Sequence, residues 1–433
     1  MNKVLHPQDP GRTADVLASA VAIAFHPACR TFYEIEITGI KNYISSPSTL
    51  VVSNHQRDLD ILAISETLHF GDKFPRPFSR PYFVARADEF TPSFFSTYFD
   101  PPIWLSQILL YKLDISGIMR ALRAFPLRQA HPVTTLQAFR DLLSLRGDVE
   151  LGSVCEESWL IKCSDALKIE LGAIKSMKIS NFLSCHHIKI LRQEAGISMF
   201  RAAEYHGMRL FQTSIVESQL EYFTDLLRQG KIVFLSPEGK LSPDGKLCAF
   251  RGILNRLAKI QGINVKILPL AISYDFITTG RKRIFLNIGK EITTDKGLSK
   301  NELDNLVSKY LRKLAVVTMS QLGGYVLFQE ALNGTDFLEK EIWQNKLIAL
   351  FEKAENNGFE LDQSLFSEQV FYRKICNFEK YCIQKGLLTR GPQERILINH
   401  PQILDTSTSG YSKNPIYYCY NEFKALLGTN LLT

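Results

Sequence analysis

The sequence predicts an α/β fold with a central, mostly parallel mixed sheet flanked by helices, and three observations carry that prediction. Runs such as "TLVVS" (49–53), "KIVFLS" (231–236) and "VKILPLAISYD" (265–275) are apolar almost throughout, as in strands buried on both faces. Stretches of helical period separate strand-like runs, among them "LDILAISETLHF" (59–70) and "GILNRLAKIQG" (252–262), and strands alternating with helices imply crossover connections. Polar loops follow two of the strands directly, where open α/β sheets place their ligands.

Taken in order, residues 1–47 read as a polar tip, an apolar helix over Val16–Phe25 and a connection rich in Ser and Pro. This N-terminal helical segment packs against the fold or anchors at a membrane interface. Residues 48–295 form the main domain, with "PYFVAR" (81–86) and "RIFLNIGKEI" (283–292) as further strands. The last two strands, joined by "FITTGRKR" (276–283), suit an antiparallel pair. Residues 141–215 interrupt the rhythm as a mostly helical insertion. "SKNE" (299–302) is a capping box that opens a helix, "NNG" (356–358) marks a later turn, and 296–433 form a helical C-terminal extension.

Composition narrows the partners. The chain has 433 residues, with 51 Lys and Arg against 44 Asp and Glu, a net charge of +7. That excess suits an anionic partner such as a membrane surface, a phosphorylated ligand or an acidic carrier protein. It is too small and dispersed for nucleic acid, and no DNA- or RNA-binding motif is present. The eight cysteines form no C-x-x-C pair, and no signal peptide precedes them, which reads as free thiols in a reducing, cytoplasmic setting. "CHH" (185–187) with Cys155 and Cys163 lacks the usual zinc spacing, so no metal is expected. No apolar run reaches the ~18 residues of a membrane span. A peripheral protein is expected, with Val16–Phe25 and the three charges of "GRKR" (280–283) as its membrane contacts, unless the basic tripeptide instead receives an acidic carrier protein or the phosphates of coenzyme A.

The stretch "VVSNHQRDLDILAI" (51–64) passes from strand to helix through His55, Arg57, Asp58 and Asp60. A histidine acting as a base needs a carboxylate on one ring nitrogen, and both aspartates are near enough in sequence. Five residues apart, His55 and Asp60 meet only if His55 lies in the loop before the first helical turn. The alternative makes Asp58 an N-cap, Asp60 a first-turn acid and His55 merely exposed. "VFLSPEGKLSPDGK" (233–246) is a second strand followed by a polar loop, and two such loops can converge at one end of a sheet.

These residues carry a resemblance. "NHQRDLD" resembles the H-x-x-x-x-D motif of the glycerolipid acyltransferase family, the glycerol-3-phosphate and 1-acylglycerol-3-phosphate O-acyltransferases, with His55 and Asp60 at its two positions and Asp58 left as cap or spacer. "SPEG" (236–239) is similar to the family's F-P-E-G block, with Ser236 in place of Phe. "FPLRQ" (125–129) is similar to a block ending in an arginine, here Arg128, and "ILPLAI" (267–272) to one whose proline is Pro269. The order matches over roughly 48–292. Where the family often continues E-G-T-R-S, this chain has "EGKLS", with Leu241 at the arginine position. Lys240 or Lys246 could serve there as a point charge but not as a bidentate fork.

The resemblance implies transfer of a fatty acyl group from an acyl-CoA or acyl carrier protein thioester to a hydroxyl of a glycerol-phosphate or lysophospholipid acceptor, with no cofactor. It implies His55 as general base, Asp60 as the group that orients it, and Arg128, Glu238, Gly239, Lys240 and Pro269 around the substrate. No G-x-S-x-G elbow supplies an enzyme serine, so the acceptor would be the nucleophile. The aromatic stretch 94–111 suits an acyl groove, a membrane-facing patch or core packing. Other readings are an acyltransferase for an acceptor without phosphate and a non-catalytic lipid-binding relative. A D-x-D phosphotransferase loop would need its first Asp at the strand end, where "NHQR" stands instead.

Overall fold

The structure, a computed structural model, describes residues 20, 27, 30–43, 47–57, 59–70, 81–92, 94, 111–128, 134–293, 297–393, 395–407 and 410–430. Asp58, all of Val16–Phe25 but Ala20, and residues 95–110 of the aromatic stretch lie outside them.

In chain order the strands are β1 (Tyr33–Thr38), β2 (Thr49–Ser53), β3 (Tyr82–Arg86), β4 (Ala124–Leu127), β5 (Ile232–Leu235), β6 (Lys266–Asp275), β7 (Lys282–Ile288), β8 (Ile292–Thr293), β9 (Val316–Val317), β10 (Phe337–Glu339), β11 (Glu360–Leu361), β12 (Leu388–Arg390) and β13 (Arg395–Ile398). The longer helices are α1 (Asp60–Phe70), α2 (Thr135–Arg146), α3 (Glu157–Leu167), α4 (Ala202–Arg228), α5 (Ile253–Ala258), α6 (Lys300–Leu314), α7 (Met319–Leu332), α8 (Lys340–Asn356), α9 (Glu368–Gln384) and α10 (Pro415–Asn430). The mixed α/β class expected from the sequence is the one observed. The chain divides into two compact units, one built on residues 82–225 and the other on residues 19–81 and from 226 onward.

The larger unit holds strands in the order β1-β7-β6-β2-β5. β1–β7, β6–β2 and β2–β5 pair in parallel, while β6–β7 is antiparallel, the pair joined by "FITTGRKR". Every residue of β2 and β5 is buried, which is why both read as apolar almost throughout. The predicted capping box opens α6: the Glu302 N–H donates to Ser299 Oγ at 3.3 Å, and the Ser299 N–H to the Glu302 carboxylate at 2.7 Å. Such a cap contributes about 1 kcal/mol. The C-terminal extension is helical but also carries a three-stranded antiparallel sheet, β10-β13-β12. Its core gathers Trp343, Leu347, Phe378, Ile416 and Phe423. α7 is buried nearly all round, as a helix at the centre of such a core must be.

The smaller unit contains the parallel pair β3–β4 and the helices α2 and α3 with most of α4. The segment expected as an insertion, 141–215, shares an apolar core with the residues just before it, where the Phe139 ring packs against Trp159, Phe182 and Phe200. His187 of "CHH" stacks on Phe182 and places Nδ1 2.9 Å from the Phe182 carbonyl. Burial pushes the thiols of Cys155 and Cys163 up, that of Cys163 to about 12, so both pack as inert apolar groups. No cluster of three or more His, Cys, Asp or Glu placed to hold a metal ion occurs among the described residues. None of their helices is long and apolar enough to cross a membrane.

"GRKR" is not the open basic patch the sequence suggested. Arg283 is only 9% exposed and is paired with Glu34, Glu36 and Asp362. Arg281 donates to the carbonyls of Arg30 and Tyr33. Lys282 is exposed, with Nζ 5.4 Å from the centre of the Phe276 ring.

Candidate active site

β2 ends at Ser53 and α1 begins at Asp60, so His55 lies in the irregular stretch before the first turn, the condition for reaching Asp60. The local fold forces this. Asn54 extends the sheet through its side chain, donating to the Ile272 carbonyl at 3.0 Å and accepting the Ile272 N–H at 2.9 Å. The chain then leaves the strand, and the His55 Nδ1 stands 3.0 Å from Asp60 Oδ2. That oxygen also accepts the N–H groups of Gln56 at 2.6 Å and Arg57 at 3.0 Å. Tyr274 donates its hydroxyl to the other oxygen, Oδ1. Asp60 is 1% exposed, held by three other groups before it touches the histidine. With Nδ1–H directed at this carboxylate, Nε2 becomes the basic nitrogen. The His55 side chain is 15% exposed.

The second loop locks the backbone of the first. Glu238 Oε1 accepts the His55 N–H at 2.8 Å, and the Ser242 N–H donates to the His55 carbonyl at 2.9 Å. Glu238 Oε2 accepts the Cys248 N–H at 2.7 Å. Glu238, expected at the substrate, is 2% exposed, and both its oxygens accept backbone N–H groups. Burial pushes its carboxyl up to about 7, outweighing the two backbone donors that favour the charged form. Gly239 adopts φ 63°, and a Cβ there would meet the Arg251 side chain at 2.8 Å, so glycine is favoured and any other residue would strain the backbone and displace Arg251. Arg251 lies across the loop, with Nε donating to the Glu238 carbonyl at 3.2 Å. Lys240 is exposed, and Lys246 pairs with Asp244 at 2.9 Å.

Two other expected residues sit elsewhere. Pro269 is buried within β6 opposite Val52, and its carbonyl accepts the Gly289 N–H at 2.9 Å. Arg128 belongs to the smaller unit, where its NH1 pairs with Asp141 at 2.5 Å and its N–H is accepted by Gln219 at 2.8 Å. His55, Asp60, Glu238, Gly239 and Lys240 therefore share one unit, and Arg128 does not.

Sequence reasoning missed a third layer. The guanidinium of Arg57 is surrounded by the rings of Tyr274, Phe276, Tyr411 and Tyr418, at 4.5, 4.7, 3.4 and 5.9 Å from their centres. Tyr418 also donates its hydroxyl to the Gln56 carbonyl at 3.1 Å. The loop carrying His55 is thus gripped by residues more than three hundred positions later. Nothing in the local sequence around Tyr411 or Tyr418 marks that role; only the arginine beside the histidine hints that something must receive its charge.

No family model matches the chain, and no curated protein matches it. Among solved structures it is similar to the crystal structure of the 1-acyl-sn-glycerophosphate (LPA) acyltransferase, PlsC, from Thermotoga maritima. The identity is 15% and the TM-score 0.31, over 69% of this chain and 76% of that one. A likeness at that level carries no inference about chemistry, which rests on the site geometry alone.

Proposed function

We propose that the protein is an O-acyltransferase of lipid synthesis, in which His55 activates an acceptor hydroxyl for direct attack on an acyl thioester. The observation that carries this reading is the His55–Asp60 pair, with Asp60 fixed by Tyr274 and two backbone N–H groups and His55 fixed at both backbone atoms. That is a preorganised general base. The hydroxyl proton passes to His55 Nε2 as the new C–O bond forms, the C–S bond breaks, and the imidazolium returns the proton to the leaving thiolate. Asp60 supports the transient positive charge. The donor is a thioester of coenzyme A or acyl carrier protein, the acceptor a glycerol-phosphate or lysophospholipid hydroxyl, and the protein works at a membrane surface without spanning it. Lys240 and Lys246 are the exposed cations nearest in sequence to Gly239 and suit an anionic substrate.

The test is thiol release from palmitoyl-CoA with glycerol 3-phosphate or a lysophospholipid as acceptor, read with a thiol-reactive dye and by product mass. His55→Ala should lower turnover by at least ~100-fold, the lower end of a general base's contribution. Equal thiol release by His55→Ala protein would overturn the reading.

A further inference from the structure

Arg251 folds back over the loop that locks His55. Its own N–H donates to the Pro237 carbonyl at 2.9 Å, and the Cys248 N–H donates to Glu238 Oε2 at 2.7 Å, so the stretch 248–251 is tied to 237–239. The Arg251 side chain then crosses Gly239. Nε donates to the Glu238 carbonyl at 3.2 Å, and Cδ and Nε each lie 2.8 Å from where a Gly239 Cβ would stand. Glu238 is therefore shared: its carbonyl holds Arg251 Nε, and its carboxylate holds the His55 N–H at 2.8 Å. A single residue separates this guanidinium from the backbone of the candidate base.

What the protein leaves unused on Arg251 defines a ligand. A guanidinium is planar and donates from all of its nitrogens. With Nε committed to the Glu238 carbonyl, the end formed by Nη1 and Nη2 remains, and neither makes a hydrogen bond or ion pair among the described residues. Arg251 is exposed. Two parallel N–H groups match two oxygens of a phosphate or carboxylate, and an anchored stem reduces the freedom lost on binding. The other cations of the two loops are placed differently. Arg57 is enclosed by aromatic rings, and Lys246 is paired with Asp244 at 2.9 Å. Lys240 is exposed, and no hydrogen bond or ion pair among the described residues orients its ammonium. We propose that Arg251 is a specificity-determining residue of this site, its terminal fork binding a phosphate of the substrate. The fork stands on the geometry alone; the choice of phosphate rests on the acyltransferase reading above, whose acceptor and donor both carry one.

The experiment is calorimetric titration of full-length protein with phosphate-bearing probes and their phosphate-free counterparts. The pairs are sn-glycerol 3-phosphate and glycerol, palmitoyl lysophosphatidate and monopalmitoylglycerol, and coenzyme A and pantetheine. Wild type, His55→Ala, Arg251→Lys and Arg251→Gln are compared, each checked by thermal melting. At least one phosphate-bearing probe should bind wild type and His55→Ala alike. Arg251→Gln should weaken that probe by ~10-fold or more, the usual worth of hydrogen bonds to a charged group, and leave its counterpart unchanged. Arg251→Lys keeps the charge without the fork and should recover only part of the affinity. Dependence on Arg251 confined to the glycerol probes assigns it the acceptor's phosphate, and dependence confined to coenzyme A the donor's; either supports the proposal. Three results overturn it: no phosphate-bearing probe binds wild type, affinity is unchanged in Arg251→Gln, or probe and counterpart weaken equally. Should Arg251→Gln fail to fold, full affinity in Arg251→Lys overturns it instead. Phosphate binding that depends on Arg251 in a protein that releases no thiol supports the site while removing the catalytic reading. Acyl transfer with phosphate affinity unchanged in Arg251→Gln does the reverse.

Discussion

The guanidinium carbon of Arg57 stands 3.4 Å from the centre of the Tyr411 ring, so the loop bearing the candidate base is held by the far end of the chain. Tyr274 completes the link, since its ring faces Arg57 while its hydroxyl binds Asp60. A desolvated cation–π contact contributes about 2 kcal/mol, and this guanidinium has several aromatic neighbours. Arg57→Ala should therefore lower unfolding stability by about 2 kcal/mol or more and reduce turnover, because Asp60 and the Gln56 backbone lose their support. Arg57→Lys should recover only part of both, an ammonium lacking the planar face that stacks on tyrosine. Urea melts and acyl-transfer rates on the same three proteins decide it; full activity in Arg57→Ala would reduce the cage to packing.

The Asp60 carboxylate divides its work between two oxygens, one for His55 and the two backbone donors and one for Tyr274. Asp60→Asn turns one of those acceptors into a donor facing donors, so it should cost about 1–3 kcal/mol and most of the activity. Tyr274→Phe is the sharper test. Without the hydroxyl the carboxylate keeps more negative charge, the imidazolium of His55 is favoured, and the acidic limb of the kcat/KM profile should move to higher pH. A profile that stays put would make Tyr274 a packing residue only.

Glu238 makes stability depend on pH in a definite direction. Its folded pKa of about 7 lies above the ordinary 4.5, so the folded protein binds this proton more tightly than the unfolded chain does. The resulting stability is fully present below about pH 4.5 and is lost as pH rises through 7. The change is about 3 kcal/mol at most. Glu422 is raised to about 7 as well and adds in the same sense. Urea midpoints measured from pH 5 to 8 should fall for wild type and fall less for Glu238→Gln. An identical slope in the variant would mean that Glu238 does not titrate in this range.

Much of the site was legible because its determinants are local. An apolar run ending at Ser53 and a helix beginning near Asp60 place His55 in a loop, and a separation of five then suffices. Glu238 and Gly239 stood out for the same reason, although the sequence could not tell a carboxylate that binds substrate from one that binds the His55 backbone. That difference lies in burial, which a strand-end loop does not reveal. The residues that escaped are those brought in by long-range packing: Tyr418 comes from helical text whose period reports only that one face is buried, and Tyr411 from the turn just before that helix. Likewise "GRKR" reads as three free charges until the fold sets Asp362 against Arg283.

That last pairing yields a prediction about both stability and membrane binding. Asp362, fully buried, accepts Arg283 NH1 at 2.6 Å and Lys374 Nζ at 2.5 Å, while Lys374 also reaches Asp275 at 2.9 Å. Two cations share the carboxylate and hold its pKa below the ordinary 3.8, although burial alone would raise it. Its contribution is therefore present above about pH 3.8 and is lost only as pH falls through the lowered folded value. Removing one member of a buried network strands the others, at about 3–5 kcal/mol. Asp362→Ala should lose that much in urea melts at pH 7, whereas replacing Arg283, Asp362 and Lys374 together by apolar residues of similar size should lose far less. Charge reversal at Arg283 should consequently unfold the protein before it changes any affinity for lipid. Flotation with anionic liposomes should instead compare wild type with Arg281→Glu and Lys282→Glu, the two cations of the loop on the surface. Each charge near an anionic surface contributes about 1 kcal/mol, so reversing both should release the protein at low salt if this loop touches the bilayer. Flotation unaffected by the double reversal would exclude the loop from the membrane contact.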